Sequence, residues 1–148
     1  MQPSSPAAAT APAAHKNKTF ATFLSLVLGG LGVHRFYLRG SLDRLGLIHV
    51  ASVPIAGLVY GLAPQADWFF KILPLLVSCI AGFVEALVIG VMSDEKFDAA
   101  FNARSGRTSE SIWVLALLLV ATMMVGATVL IATMARLFDL LATGGAYG

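Results

Sequence analysis

Residues 16–40, KNKTFATFLSLVLGGLGVHRFYLRG, set two lysines ahead of a short apolar run. They crowd Gly29, Gly30 and Gly32 near its end and close on His34, Arg35, Phe36 and Tyr37. In a soluble core helix each interior glycine costs about 1 kcal/mol against alanine. In a membrane the same glycines let helix backbones approach closely. Phe36 and Tyr37 then read as an interfacial aromatic pair, and Arg35 as a charge kept at the water boundary. The fifteen residues 19–33, at about 1.5 Å each, fall short of a hydrocarbon core about 30 Å thick. The helix is therefore expected to continue through the aromatic cluster to Leu38, with Arg35 reaching toward the headgroups.

Composition agrees. Charged residues make up 12% of the 148, about half the usual share of a soluble domain, while 57% are hydrophobic and the mean hydropathy is +0.81. The chain reads as an all-α, polytopic helical integral membrane protein whose first partner is the lipid bilayer. Ten Lys and Arg stand against eight acids, too small an excess to suggest nucleic-acid binding. The single cysteine, Cys79, excludes an intramolecular disulfide and reads as a small hydrophobe within an apolar segment.

About four transmembrane segments follow from the pattern. Residues 1–14, uncharged and holding three prolines, read as a disordered Ala/Pro tail. A signal peptide over residues 1–33 is disfavoured, because no small-x-small cleavage site follows the apolar run. Segment one covers residues 19–38. Segment two, 45–63, carries Gly57 and Gly61 at a spacing that permits close packing, and it either spans or re-enters. Segment three, 68–92, opens on Trp68, Phe69 and Phe70 and lines up Gly82, Ala86 and Gly90 as a smooth packing face. Ser93 can cap a short interfacial helix bearing Phe97 and Phe101, or segment three simply extends. A polar loop, 103–111, leads to an uncharged span, 112–134, with Thr122, Gly126 and Thr133 on one face, and then to a C-terminal tail, 135–148. Four spans put both termini on one side and divide the cations six to four, which leaves orientation nearly open.

Lys16-x-Lys18, Ala21 and then Gly29-x-x-Gly32-x-His34-Arg35-Phe36-Tyr37-Leu38 resembles the opening of the TM-two (two-transmembrane) domain family. Phe83 and Glu85 are similar to the aromatic and acidic pair of that family's second helix, where tryptophan and aspartate are usual. Residues 93–98, on to Asn102, resemble the way bacterial members leave the membrane. Arg39 stands where the family usually has glycine, displaced here to Gly40, and the gap between the halves has room for an extra apolar segment. The resemblance implies a TM-two-like membrane domain over 15–102 with one added span, in a bacterial cytoplasmic (inner) membrane. The family's biochemical role is poorly defined, so the resemblance implies no activity.

Glu85 is the one acid well inside an apolar segment, and such a carboxylate needs a partner. It lies about 10 Å from the Met92 end of its helix, and His49 lies about 6 Å from the Leu45 end of the preceding one. Those ends face one side, as do His34 and Arg35. A polar cluster of Glu85 with Arg35 or His34, and with His49 second, is expected. It can lock helices, relay protons or ions, or recognise a lipid or partner. Metal binding needs three or four ligands at matched depth, and only His34, His49 and Glu85 could contribute, so neither metal nor cofactor is expected. No nucleophile elbow appears, and Gly29-Gly30-Leu31-Gly32 lacks the Lys-Ser/Thr of a phosphate-binding loop. The leading expectation is a non-enzymatic membrane scaffold or interaction module, joining itself or other membrane proteins through small-residue faces. A small transporter or ion-conducting oligomer using Glu85 is the first rival, and an interfacial enzyme using His34 or His49 the second.

Overall fold

The structure, a computed structural model, describes residues 13–147. Among these it is helical throughout and contains no strand: α1 is Lys18–Leu28, α2 Val33–Arg39, α3 Arg44–Leu62, α4 Trp68–Val91, α5 Asp94–Phe101 and α6 Trp113–Thr143. Short polar side chains start most of them by accepting from orphan amides of the first turn. Asn17 accepts from Phe20 N–H at 2.9 Å, Asp43 from Gly46 N–H at 2.9 Å and Asp67 from Phe69 N–H at 2.8 Å. Ser93 caps α5, the short helix foreseen around Phe97 and Phe101. Of the six helices, α3, α4 and α6 are long and apolar enough to cross a membrane.

Segment one is not a continuous helix. α1 stops at Leu28, Gly29–Leu31 form a single 3₁₀ turn, Gly32 adopts the left-handed φ of +67°, and α2 sets off in a new direction. That direction is back toward the start. Asn17 N–H, just before α1, donates to the Tyr37 hydroxyl at 2.8 Å near the end of α2, and Phe20 stacks edge-on against Tyr37 with centroids 5.3 Å apart. Lys18 bonds the Met92 carbonyl and Asp94 at the end of α4, and Arg39 lies over Phe101 of α5. Both ends of the pair therefore sit at the same end of the bundle. With 11 residues α1 is only about 17 Å long, little more than half the thickness of a hydrocarbon core. Segment one is thus a helical hairpin broken at Gly29–Gly32, neither arm long enough to cross a hydrocarbon core, whereas segment two, considered either spanning or re-entrant, is a helix long enough to cross.

Non-helical backbone at membrane depth survives only when protein satisfies and covers it. Gly32 N–H donates to Gly29 O, Ser78 Oγ donates to Gly30 O at 2.7 Å, and Ser25 Oγ donates to the Gly82 carbonyl at 2.8 Å. The approach requires glycine on both sides. A Cβ on Gly29 would come within 2.8 Å of Gly82 Cα, and one on Gly82 within 2.6 Å of the Gly29 carbonyl carbon.

Beyond the hairpin stand the three helices long and apolar enough to cross a membrane. α3 runs from the motif end to the far end, α4 returns beside it, and α5 lies across the motif end. α6 then runs antiparallel to α4, with Leu119 against Gly90, Gly126 against Phe83 and Arg136 3.2 Å from Asp67. The interior mixes small and polar residues, Ala21, Thr22, Ser25, Ser78, Ala86 and Thr122, with a few large ones, Phe69, Ile89, Phe97 and Leu115, while many large apolar side chains such as Leu58, Met124 and Ile131 point outward. That is the arrangement of helices packing within lipid.

Three expectations are corrected. Gly57 and Gly61 pack against nothing: both are exposed, and the covered face of α3 is Gly46, His49, Ser52 and Ala56. Pairing these four with α4 keeps both glycines on the opposite side of the helix. The last helix does not end at Met134 but continues to Thr143, where Gly144 terminates it at φ +69°. Arg136, paired with Asp67 and Asp139, holds that extension in place. Of the proposed N-terminal tail, residues 1–12 lie outside the described residues, and Ala13 N–H donates to Arg104 O at 3.1 Å.

The hairpin also changes the charge balance. Lys16, Lys18, Arg35, Arg39, Arg44, Lys96, Arg104 and Arg107 gather at the motif end, leaving only Lys71 and Arg136 at the other.

Candidate functional site

The four residues singled out for an intramembrane cluster come together. Glu85 projects from α4 toward the hairpin. Arg35 Nε donates to its Oε1 at 2.8 Å, Arg35 Nη2 donates to the same oxygen, and His34 Nε2 bonds Oε2. His49 Nε2 is 3.5 Å from Oε2. Three elements thus converge on one carboxylate: α2 through His34 and Arg35, α3 through His49, and α4 through Glu85 itself.

Arg35 does not reach toward headgroups as expected, because protein carboxylates claim it first. Its Nη1 also donates to Asp43 Oδ2 at 3.3 Å, and Asp43 caps α3 with the same oxygen. Phe36 is likewise not part of a free interfacial pair. It fills the space beside Gly46, where a Cβ would meet its ring at 2.6 Å, while Tyr37 bridges to the start of α1. Gly29 and Gly32 of the motif form the break, and Gly82, Ala86 and Gly90 are all buried on α4 as foreseen.

Proton positions follow from counting donors. Ser78 has one hydroxyl hydrogen, and it goes to Gly30 O. The 2.8 Å contact between Ser78 Oγ and His49 Nδ1 is therefore donated by the imidazole. His49 Nε2 then faces Glu85 Oε2 as acceptor to acceptor unless a proton lies between them. His34 is fully buried, and its Nδ1 is the one buried side-chain nitrogen or oxygen without a partner among the described residues.

A second network seals the motif end. Lys18 is buried and donates to Asp94 at 2.9 Å and to Ser111 at 3.1 Å, besides the Met92 carbonyl. Asn102 accepts from Lys16 N–H at 2.7 Å and returns a bond to Lys16 O at 3.0 Å. The two stretches that carried the family resemblance are thus each other's partners. The Ser111 hydroxyl, with Lys18, holds Asp94 below the usual carboxylate range. The Asn102 amide and the Ser109 hydroxyl and amide bring Asp98 down to about 2.

Sequence reasoning missed Ser78 and Asp43. Ser78 was visible as a hydroxyl in the middle of an otherwise apolar helix, and Asp43 as the cap before Arg44. Their bonds to the hairpin could not be seen without knowing that the chain folds back. No group of three or more His, Cys, Asp or Glu disposed to hold a metal ion occurs among the described residues.

Among known families, residues 14–61 match the TM2 domain. The match covers α1, the glycine break, α2 and nearly all of α3, about a third of the chain. It ends before Phe83, Glu85 and the 93–102 stretch, to which the resemblance had been extended. No curated protein and no solved structure matches the chain.

Proposed function

Residues 14–61 form a TM2 domain, and from that premise we propose that the chain is a non-enzymatic membrane scaffold. In this reading the Glu85 cluster is a clamp that holds the re-entrant hairpin on α3 and α4, leaving the outer helix faces to partners or to a second copy. One observation carries it: the charged groups of the cluster are taken up by one another. Arg35 serves Glu85 and Asp43, and Glu85 receives Arg35 and His34. Ser78, His49 and Glu85 do line up, but the serine proton goes to a backbone carbonyl and the imidazole donates to the serine, the reverse of nucleophile activation. In a bacterial inner membrane, the location this reading proposes, the charge distribution supports a cytoplasmic motif end with the C-terminus on the other side. Mild crosslinking in native membranes followed by purification is expected to recover a homo-oligomer or a membrane partner. Recovery of uncrosslinked monomer alone would sink the scaffold reading.

A small conductor is the second reading, and the observation favouring it is that Glu85 borders two spaces at once. One is a groove of about 600 Å³ between α3 and α4, and the other a cleft of about 280 Å³ above it. Proton or cation flux in liposomes that disappears in Glu85→Gln would favour this reading over the clamp.

A further inference from the structure

Arg39 and Arg44 flank the turn between α2 and α3, and among the described residues neither is paired with a carboxylate. The acid between them, Asp43, is committed to Arg35 and to the Gly46 amide. Both arginines line an open cleft of about 730 Å³ walled by Leu38, Leu42, Leu45 and Phe101, with Asp43 also on its wall but turned to Arg35, and Arg39 lies 5.6 Å from the Phe101 ring centroid. Leu42, at the tip of the turn, is 86% exposed. An apolar side chain between two unpaired guanidinium groups, at the level where a helix leaves the membrane, suits the headgroup zone and not bulk water.

A second space of about 280 Å³ adjoins the cleft, sharing Leu38, Arg39 and Phe101 with it, and lies along α4 past Met92, Ile89 and Val88 to a polar inner end at Glu85, His34 and Arg35. A basic mouth that opens into an apolar slot pointing toward the bilayer centre has the outline of one lipid molecule. We propose that this seat takes a single anionic phospholipid, its phosphate between Arg39 and Arg44 and one acyl chain along Val88 and Met92. Guanidinium forks match phosphate oxygens in pairs, and basic pockets between helices on the cytoplasmic side select anionic headgroups. The local charge argues against a zwitterionic lipid. Its ammonium would lie near two guanidinium groups with no unpaired carboxylate beside them among the described residues to offset the repulsion, Asp43 and Glu85 being paired with Arg35.

The test uses the full chain in detergent, exposed to phosphatidylglycerol or phosphatidylcholine of matched acyl chains and read by native mass spectrometry. One phosphatidylglycerol should stay bound with a preference of about tenfold or more, lost in Arg39→Gln/Arg44→Gln. Arg39→Lys/Arg44→Lys keeps the charge and should restore part of the preference. Arg104→Gln/Arg107→Gln removes two cations of the same face outside the seat and should leave the preference intact. Val88 is exposed, so Val88→Trp should block the slot and weaken retention without disturbing the fold. Equal retention of the two lipids overturns the proposal. So does a loss in Arg104→Gln/Arg107→Gln as large as in the seat variant, which would mean diffuse attraction. Full displacement by inorganic phosphate alone would reduce the seat to an anion site and equally overturn it.

Discussion

Glu85 is bonded by Arg35 and His34 and approached by His49, and its side chain is 22% exposed. Removing its charge leaves a largely buried guanidinium without its main partner. Breaking a buried pair this way costs about 3–5 kcal/mol, and the residual exposure argues for the lower figure. Glu85→Gln is therefore expected to lower the melting temperature in detergent by several degrees. Arg35→Gln/Glu85→Gln should lose less than the two single changes together, because neither charge is then stranded. Strict additivity in that cycle would mean the pair is not coupled. Outside the membrane segments, Asp98 offers a pH test. The Asn102 amide first, then Ser109, lowers it from an ordinary 3.8 to about 2. A depressed carboxylate stabilises the fold above its unfolded value and loses that contribution as pH falls through its folded one. The 102–109 turn should accordingly loosen between about pH 4 and pH 2, seen as faster proteolysis or hydrogen exchange there, and Asp98→Asn should show the loosened rate already at neutral pH.

Among the elements, glycines separate into two kinds that look alike in sequence. Gly82 and Gly29 meet backbone to backbone, so Gly82→Ala must push the hairpin away, at about 1–3 kcal/mol of overpacking. Gly57 and Gly61 meet nothing, so Gly57→Ala should be neutral or stabilise α3 by up to about 1 kcal/mol. Thermal melts of the two variants are expected to move in opposite directions, and a parallel loss would show that α3 packs through its glycine face after all. The spans, the cap at Ser93 and the small-residue face of α4 were legible because each rests on local pattern. The break in segment one was signalled twice, by fifteen apolar residues too short for the core and by the Gly-Gly-x-Gly run, yet a continuous helix satisfied the shortfall equally well. What decides between them is the docking of Gly29 on Gly82, which lies too far along the chain for any local pattern to report.

For the whole molecule the hairpin sets topology. With three crossings the termini lie on opposite sides, and the cations divide eight to two where four spans gave six to four. In a Cys79→Ser background, single cysteines at Ala14, Ser41 and Thr108 should label from one side of the membrane, and those at Gln65 and Thr143 from the other. Ala14 is the discriminating position. If it labels with Gln65, segment one crosses and the hairpin is wrong. The Glu85 cluster was legible from depth alone, since His34, Arg35 and His49 all belong to the motif end whether segment one crosses or folds back. The partners Ser78 and Asp43 were not, because their roles exist only once the chain has turned round.

The break in segment one also bears on how the protein is made. Gly29 leaves the ribosome about fifty residues before Gly82, the surface it must dock on, and Ser78 and Glu85 emerge with that late partner. At about 5–20 residues per second the interval is a few seconds. Through that time the first half-helix lacks both the Gly82 surface and the Glu85 acceptor of Arg35, with Asp43 the one carboxylate partner already made, so its docking has to follow the synthesis of α4. A stretch that precedes α3 and α4 in the chain thus completes its packing only after both have been made.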